Sequence, residues 1–233
     1  MILPAAGDCL VRNSWICGKY LSTRRHIILA DLRQHITLTI VAVVVGFLVS
    51  IPITLFVRRF RRSEGPVIGL TSVLYGIPSV ALFAVLVPFT GLTSTTVEIG
   101  LVIYTLVIFV RNNVAGLDSV PPDVRDAAVG MGMGPVRLFL RVDLPLALPA
   151  IIAGFRVATV STIALVTVGA LVGTGGLGQE LNDAFNSYFK AEALTAAVLC
   201  VLLAVIADLL IVGAGWLLTP WRRHAPRAEG SGR

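Results

Sequence analysis

Long runs without a single charge recur along this chain and divide it into segments of bilayer length. Residues 36–57 contain no Asp, Glu, Lys or Arg and then stop abruptly at Arg58, Arg59, Arg61 and Arg62. Residues 67–97 are equally free of charge but too long for one crossing. Gly91 and the polar cluster 93–96 divide them into a helix near 67–88 and another near 95–110. Residues 146–172 are interrupted only by Arg156, and residues 193–218 only by Asp208. A crossing takes about 20 mostly apolar residues, and in hydrocarbon an open strand edge has no partner for its backbone. The pattern predicts an all-α polytopic membrane protein with five transmembrane helices.

Composition sharpens this. The 233 residues are 56% hydrophobic and 14% charged, against about 45–50% and about 25% in ordinary soluble chains. That excludes a soluble domain, which lacks the polar surface to cover such a core, and a disordered chain, which is polar and charged. Three cysteines exclude a disulfide scaffold. Five crossings put the termini on opposite sides. The loop 58–66, the segment 111–145 and the tail after Thr219 then share one side and carry twelve Lys/Arg, against six on the other side. The expectation is N-terminus out and C-terminus in.

The two ends read differently. Residues 1–35 form an N-terminal tail without the apolar core of a secretory signal. Its stretch 20–35 alternates bulky apolar residues with Arg and Asp, as in a helix lying along the membrane interface. Cys9 and Cys17 both fall outside in this topology, where they are free to pair, whereas Cys200 lies in the membrane. Residues 219–233 form a polar cytoplasmic tail. The net charge of +6 sits at helix ends, where membrane orientation explains it, so it does not point to nucleic acid.

Segment 111–145 is longer than a minimal loop and carries its own helix punctuation. Ser119, Pro121, Pro122 and Asp123 read as a helix start, followed by a short helix over 124–131. Gly130, Gly132 and Gly134 permit a sharp bend. Pro135 opens a second short helix over 136–142, ended by Leu144-Pro145. The expected form is a two-helix knob on the cytoplasmic side.

The spacing within this segment is specific. Asp126-Ala127-Ala128, three residues, Gly132, nine residues, then Val142-Asp143-Leu144-Pro145 resembles the E-A-A-x3-G-x9-I-x-L-P signature of ABC-transporter permeases, with Asp for Glu and Val for Ile. Tyr75-Gly76-Ile77-Pro78-Ser79, Gly130-Met131-Gly132-Met133, Ala153-Gly154-Phe155-Arg156 and Gly173-Thr174-Gly175-Gly176-Leu177-Gly178 are similar, in order, to the permeases for quaternary-ammonium osmoprotectants. The likeness covers roughly residues 35–215 and implies a type I ABC importer permease fold. It implies import of glycine betaine, choline, carnitine or a similar solute. It also implies a coupling role for Asp126, Ala127, Ala128, Gly132, Val142, Leu144 and Pro145, which would dock on a separate ATPase subunit. The partners implied are that ATPase, an extracellular or periplasmic substrate-binding protein, a second permease subunit and membrane lipid. ATP and Mg would sit on the ATPase, with no cofactor bound by this chain and no catalysis by it.

Candidate pathway or gating residues are Tyr75, Pro78, Ser161, Thr162 and Asp208, with Tyr104 and Thr167 beside them. Aromatic faces suit a quaternary ammonium. Gly175, Gly176 and Gly178 read as a flexible outer loop. Gly173-x-Gly175-x-x-Gly178 also satisfies a dinucleotide fingerprint, but a long apolar segment precedes it and Val198 stands where an acid is needed. Arg156, near a helix end, reads as an interface anchor or the partner of a loop acid. Asp208, inside the last span, reads as hydrogen-bonded to a neighbouring helix or to the second permease subunit, or as the proton or sodium site of a competing reading, an ion-coupled secondary transporter or channel. An importer for a different small solute, such as an amino acid, also fits the pattern, as does a membrane oxidoreductase using the glycine loop. No metal-ligand spacing is present.

Overall fold

The computed structural model describes residues 9–221, and the regular elements among them are helical. The first apolar run and the stretch expected to lie along the interface form one continuous helix, α1 (Gly18–Arg59), of 42 residues. At 1.5 Å per residue it is about 63 Å long, roughly twice a ~30 Å hydrocarbon layer. Its N-terminal part therefore projects beyond the bilayer core. There Tyr20 and Ile28 pack with Ala191, and the Tyr20 hydroxyl donates to Glu180 at 2.5 Å.

The helix expected over 67–88 is broken. It consists of α2 (Glu64–Gly76) and α3 (Ser79–Thr90), which meet at 93°. Proline disfavours helical geometry in the residue before it and brings no N–H of its own. Ile77 accordingly sits at φ −69°, ψ 126°. The bent pair still traverses the bundle. It starts where Arg61 pairs with Asp118, at 2.7 Å, and ends where the Leu92 carbonyl lies against Gly173. Among the described residues, four unbroken helical spans and this bent pair are long and apolar enough to make the crossings.

The third crossing, α4 (Ser94–Asp118), runs eight residues past its expected end and is the centre of the bundle. Of its apolar window 61% is buried, against 6% in α9 (Lys190–Leu218), whose outer face is left to lipid. Leu38, Ala42, Phe83, Val97, Leu101 and Val166 join α1, α3, α4 and α7 (Leu144–Gly169) in one core. Deeper along the bundle, Phe47, Phe109 and Phe155 meet edge to face or tilted, with ring centroids 4.6–5.3 Å apart. Small residues let the backbones approach closely. A methyl group at Gly46 would stand 2.1 Å from Thr105 Oγ1, the hydroxyl that donates to the Ala42 carbonyl at 3.0 Å.

The segment between α4 and α7 departs from its expected form at two points. Ser119 does not cap the short helix α5 (Pro122–Gly130); its hydroxyl donates to the Gly116 carbonyl, 2.7 Å away, at the end of α4. Leu144-Pro145 does not end a separate helix either. The chain runs from α6 (Pro135–Leu138) through a π-helical turn (Phe139–Asp143) straight into α7. Pro145 cannot donate to a carbonyl one turn back and its ring crowds that carbonyl, and the wider turn absorbs both defects. The expected knob is therefore one short helix joined to the end of a long rod.

At the opposite end, a disulfide joins Cys9 and Cys17, and the loop it closes grips the junction of α8 (Leu177–Ser187) with α9. Asn13, at φ 49°, accepts from the Lys190 amide and donates to the Tyr188 carbonyl, both at 2.8 Å. The polar tail expected over 219–233 lies, from residue 222 on, outside the described residues.

Asn13→Ala removes both hydrogen bonds at once. One lost bond of about 1 kcal/mol gives about fivefold faster amide exchange at Lys190, read by mass spectrometry, while exchange within α4 stays unchanged. Equal exchange rates at Lys190 in the two proteins would show that the loop merely rests there.

Candidate functional site

The α5 elbow ends in a Schellman motif. The Gly132 amide donates to the Val129 carbonyl at 2.9 Å and the Met133 amide to the Ala128 carbonyl at 3.2 Å. This motif needs the residue just past the helix in the left-handed region, and Gly132 sits at φ 79°. The glycine after Asp126-Ala127-Ala128 and three intervening residues is thus a backbone requirement, met without a Cβ penalty. Asp126 and Ala127 face outward, and Ala128 is buried beneath them. Val129, Met131 and Val136 are 55%, 72% and 71% exposed, an apolar tip out of keeping with a free surface loop.

Beneath the elbow lies a charge cluster that joins three helices. Asp143, in the π-helical turn, is fully buried. It pairs with Arg58 at the end of α1 and with Arg125 of α5, whose Nε donates to Oδ1 at 2.7 Å. Arg125 also donates to the Leu117 carbonyl of α4 at 2.7 Å, and Arg58 stands over the Phe139 ring, 5.3 Å from its centroid. With Arg125 turned inward, Asp123 and Asp126 are the charges that α5 presents to solvent. Val142, Leu144 and Pro145 are half-buried around this cluster, and Leu144 packs with Leu117, Ala147 and Ile151.

A second feature opens at the α2–α3 break. Tyr75, Ile77, Ser79, Tyr104 and Ser161 line a groove of about 380 Å³ on the side of the bundle. Pro78 creates the break, and the hydroxyl of Tyr104 donates to the freed Ile77 carbonyl. The Tyr75 and Tyr104 rings meet edge to face, 6.2 Å between centroids, and Tyr75 is 48% exposed. Ser161 also lines an adjoining groove of about 520 Å³ that holds Arg156 and Asp208. Thr162 is not part of either. It is buried, and its hydroxyl donates to the Ala158 carbonyl at 2.7 Å.

Asp208 accepts from Arg156 with both oxygens, at 2.7 and 2.9 Å, which is the expected bond to a neighbouring helix; the acid that meets Arg156 thus stands on that helix and not in a loop. Gly175, Gly176 and Gly178 are buried packing points, not an open flexible loop. A Cβ at Gly176 would lie 2.7 Å from the Asp31 carbonyl and from His35, and one at Gly178 would lie 2.5 Å from the Thr167 carbonyl. No room remains there for a pyrophosphate, which removes the dinucleotide reading.

Sequence reasoning passed over Asp143, Arg58 and Arg125 as a unit. The available signal was an acid between Val142 and Leu144, in a stretch otherwise fit for burial.

Residues 42–224 match the family described as binding-protein-dependent transport system inner membrane component. The chain is 35% identical over 203 residues to the glycine betaine/carnitine/choline transport system permease protein OpuCD of Bacillus subtilis, covering 86% of each chain. It is 32% identical to the osmoprotectant import permease protein OsmW of Salmonella typhimurium, over 80% of this chain and 89% of that one. A chain of the inward-facing MetNI methionine ABC transporter shares the fold, with a TM-score of 0.74 at 20% identity over 84% of this chain and 98% of that one.

Asp143→Asn leaves Arg58 and Arg125 facing each other without a counter-charge; since both are about a quarter exposed, the cost falls below the ~3–5 kcal/mol of a fully buried pair. We expect a marked fall in the thermal midpoint in detergent, with Asp126→Asn unchanged beside it. Similar midpoints for the two variants would mean that the buried cluster does not hold the elbow.

Proposed function

Because the chain belongs to the binding-protein-dependent transport system inner membrane component family, we propose that it is the membrane-spanning permease subunit of an ATP-driven importer for quaternary-ammonium osmoprotectants such as glycine betaine, choline or carnitine. The observation that carries this reading is the braced elbow. An exposed, partly apolar tip bearing Asp123 and Asp126 is fixed by Asp143 to α1, α4 and the root of α7. A tip built to be gripped needs such bracing, because force applied to a loose loop would be lost in the loop.

In this reading Asp126, Ala127 and Gly132 dock in a cleft of a separate ATPase subunit, where ATP and Mg bind. Ala127 allows close approach and Asp126 meets a basic group. Since α6, the π-helical turn and α7 form one rod (Pro135–Val172), displacement of the elbow tilts α7 and with it Ser161 and the groove. Moving a two-state equilibrium from 1:99 to 99:1 takes ~5.5 kcal/mol, within reach of a rigid lever driven by nucleotide.

The groove at the α2–α3 break supplies one wall of a route. Tyr75 offers an aromatic face that attracts a quaternary ammonium without competing as a strong hydrogen-bond donor. The groove is open on one side, so a second permease subunit closes it, and an extracellular binding protein delivers solute at the α8 end. Orientation rests on two independent features. The arginines at 58–62 and 111–141 gather at the elbow end, which favours the cytoplasm. The Cys9–Cys17 disulfide lies at the opposite end, which favours the oxidising outer face. An ion-coupled transporter would need Asp208 as its titrating site, but that charge is matched by Arg156.

The test is uptake of radiolabelled glycine betaine into proteoliposomes of the full complex, with ATP supplied on the elbow side. Uptake should need ATP and resist an uncoupler. Asp126→Arg puts a like charge against the partner's basic group, at a cost of about 2 kcal/mol or more, so ATPase affinity should fall about thirtyfold. Gly132→Val should uncouple by unwinding the Schellman turn. Uncoupler-sensitive uptake, or full coupling in both variants, would refute the proposal.

A further inference from the structure

The outer face of α1 carries a lipid-facing stripe: Ile40, Val44, Leu48, Ile51 and Leu55, three or four residues apart and each 38–57% exposed. Near the elbow this stripe becomes concave. Ile51, Leu55, Phe139, Leu144 and Ile151 line an apolar slot of about 240 Å³ between α1 and the root of α7. Leu55 and Phe139 also wall a second, wider hollow of about 460 Å³, where Arg58, Arg59 and Leu140 stand. The two share these walls, so the apolar slot lies directly beside a hollow that arginines line.

The charges around that opening are unbalanced. Asp143 is already claimed by Arg58 and Arg125, and Arg61 by Asp118 and Glu64. Among the described residues Arg59, Arg62, Arg137 and Arg141 have no acidic partner, and all four are exposed. Arg59 lines the hollow itself, Arg62 follows it at the end of the apolar stripe, and Arg137 and Arg141 adjoin the hollow's lining residues Val136, Leu138 and Leu140 in sequence.

We infer that this groove is a binding site for one anionic phospholipid, its phosphate on Arg59 and the neighbouring arginines and one acyl chain in the slot between Leu55 and Ile151. Charge complementarity chooses this occupant. An uncharged lipid leaves the arginines unmatched, and a soluble anion leaves the slot empty. An Arg or Lys near an anionic membrane surface contributes about 1 kcal/mol, or about fivefold in occupancy. The lipid would touch Phe139, the ring beneath Arg58, so it would lie against the same turn that holds Asp143. The site requires only that the chain crosses a membrane, and stands whatever solute is carried.

Native mass spectrometry of the full-length protein, delipidated and then offered phosphatidylglycerol or phosphatidylcholine, tests this. The wild type should retain phosphatidylglycerol in preference. Arg59→Gln should lower that preference about fivefold while phosphatidylcholine retention stays as it was. Leu55→Trp, which fills the slot without changing charge, should expel both lipids at an unchanged thermal midpoint. Equal retention of the two lipids by the wild type would overturn the inference. So would displacement by inorganic phosphate with Leu55→Trp silent, which assigns the arginines to a small-anion site. Loss of the ATPase from Arg59→Gln with lipid retention intact would assign the groove to that protein instead.

Discussion

A carboxylate buried without solvent needs counter-charges fixed around it, and Asp143 draws the rest of the elbow end into place to supply them. Arg58 must come from the last turn of α1, Arg125 from α5, and the Leu117 carbonyl from α4 to hold Arg125. The cluster is not a reservoir of net stability, since a well-packed apolar group often does as well. Its three bonds tie the end of α1, α5 and the end of α4 to one carboxylate in the turn before α7. That arrangement aims the exposed tip of α5 away from the bundle while anchoring its base.

Whether the elbow can drive the crossing depends on its junction with α7. A hinge between elbow and crossing would absorb displacement. Here the π-helical turn keeps the helix unbroken past Pro145, and Leu144 packs immediately into the core. At the far end, α7 meets buried glycines that admit the α1 backbone and Thr167 at close range. Ser161, in the wall of the side groove, lies between these two fixed ends. In the proposed mechanism a rod held in this way moves as a body and carries the side groove with it.

Much of this is legible in the sequence, and the failures share a cause. The apolar runs mark the crossings, because hydrocarbon tolerates little else. The spacing from Asp126 to Pro145 marks the elbow, because Gly132 meets a backbone requirement that no tertiary contact can replace. Pro78 is visible too, but a continuous apolar run masks the break: hydropathy has no term for direction. Pairings across the bundle are harder. Arg58 and Asp143 are 85 residues apart, and Arg156 and Asp208 are 52 apart. Lone charges in a membrane sequence reveal that partners must exist, not which ones. The glycines at 175–178 suggest flexibility by composition, yet they are needed for closeness, and only the neighbouring backbone distinguishes those two uses.

Motion transmitted by one chain as a rigid lever can be tested by distance. Spin labels at Val129, on the elbow, and at Leu171, at the far end of the rod, are both exposed and can be followed through the nucleotide cycle of the assembled transporter. For a rigid lever in the proposed pair of permease subunits, their separation within one chain stays constant, while the elbow-to-elbow distance across the pair changes. A change within the chain of a helical turn or more, about 5.4 Å, with the elbows fixed relative to each other, would contradict it.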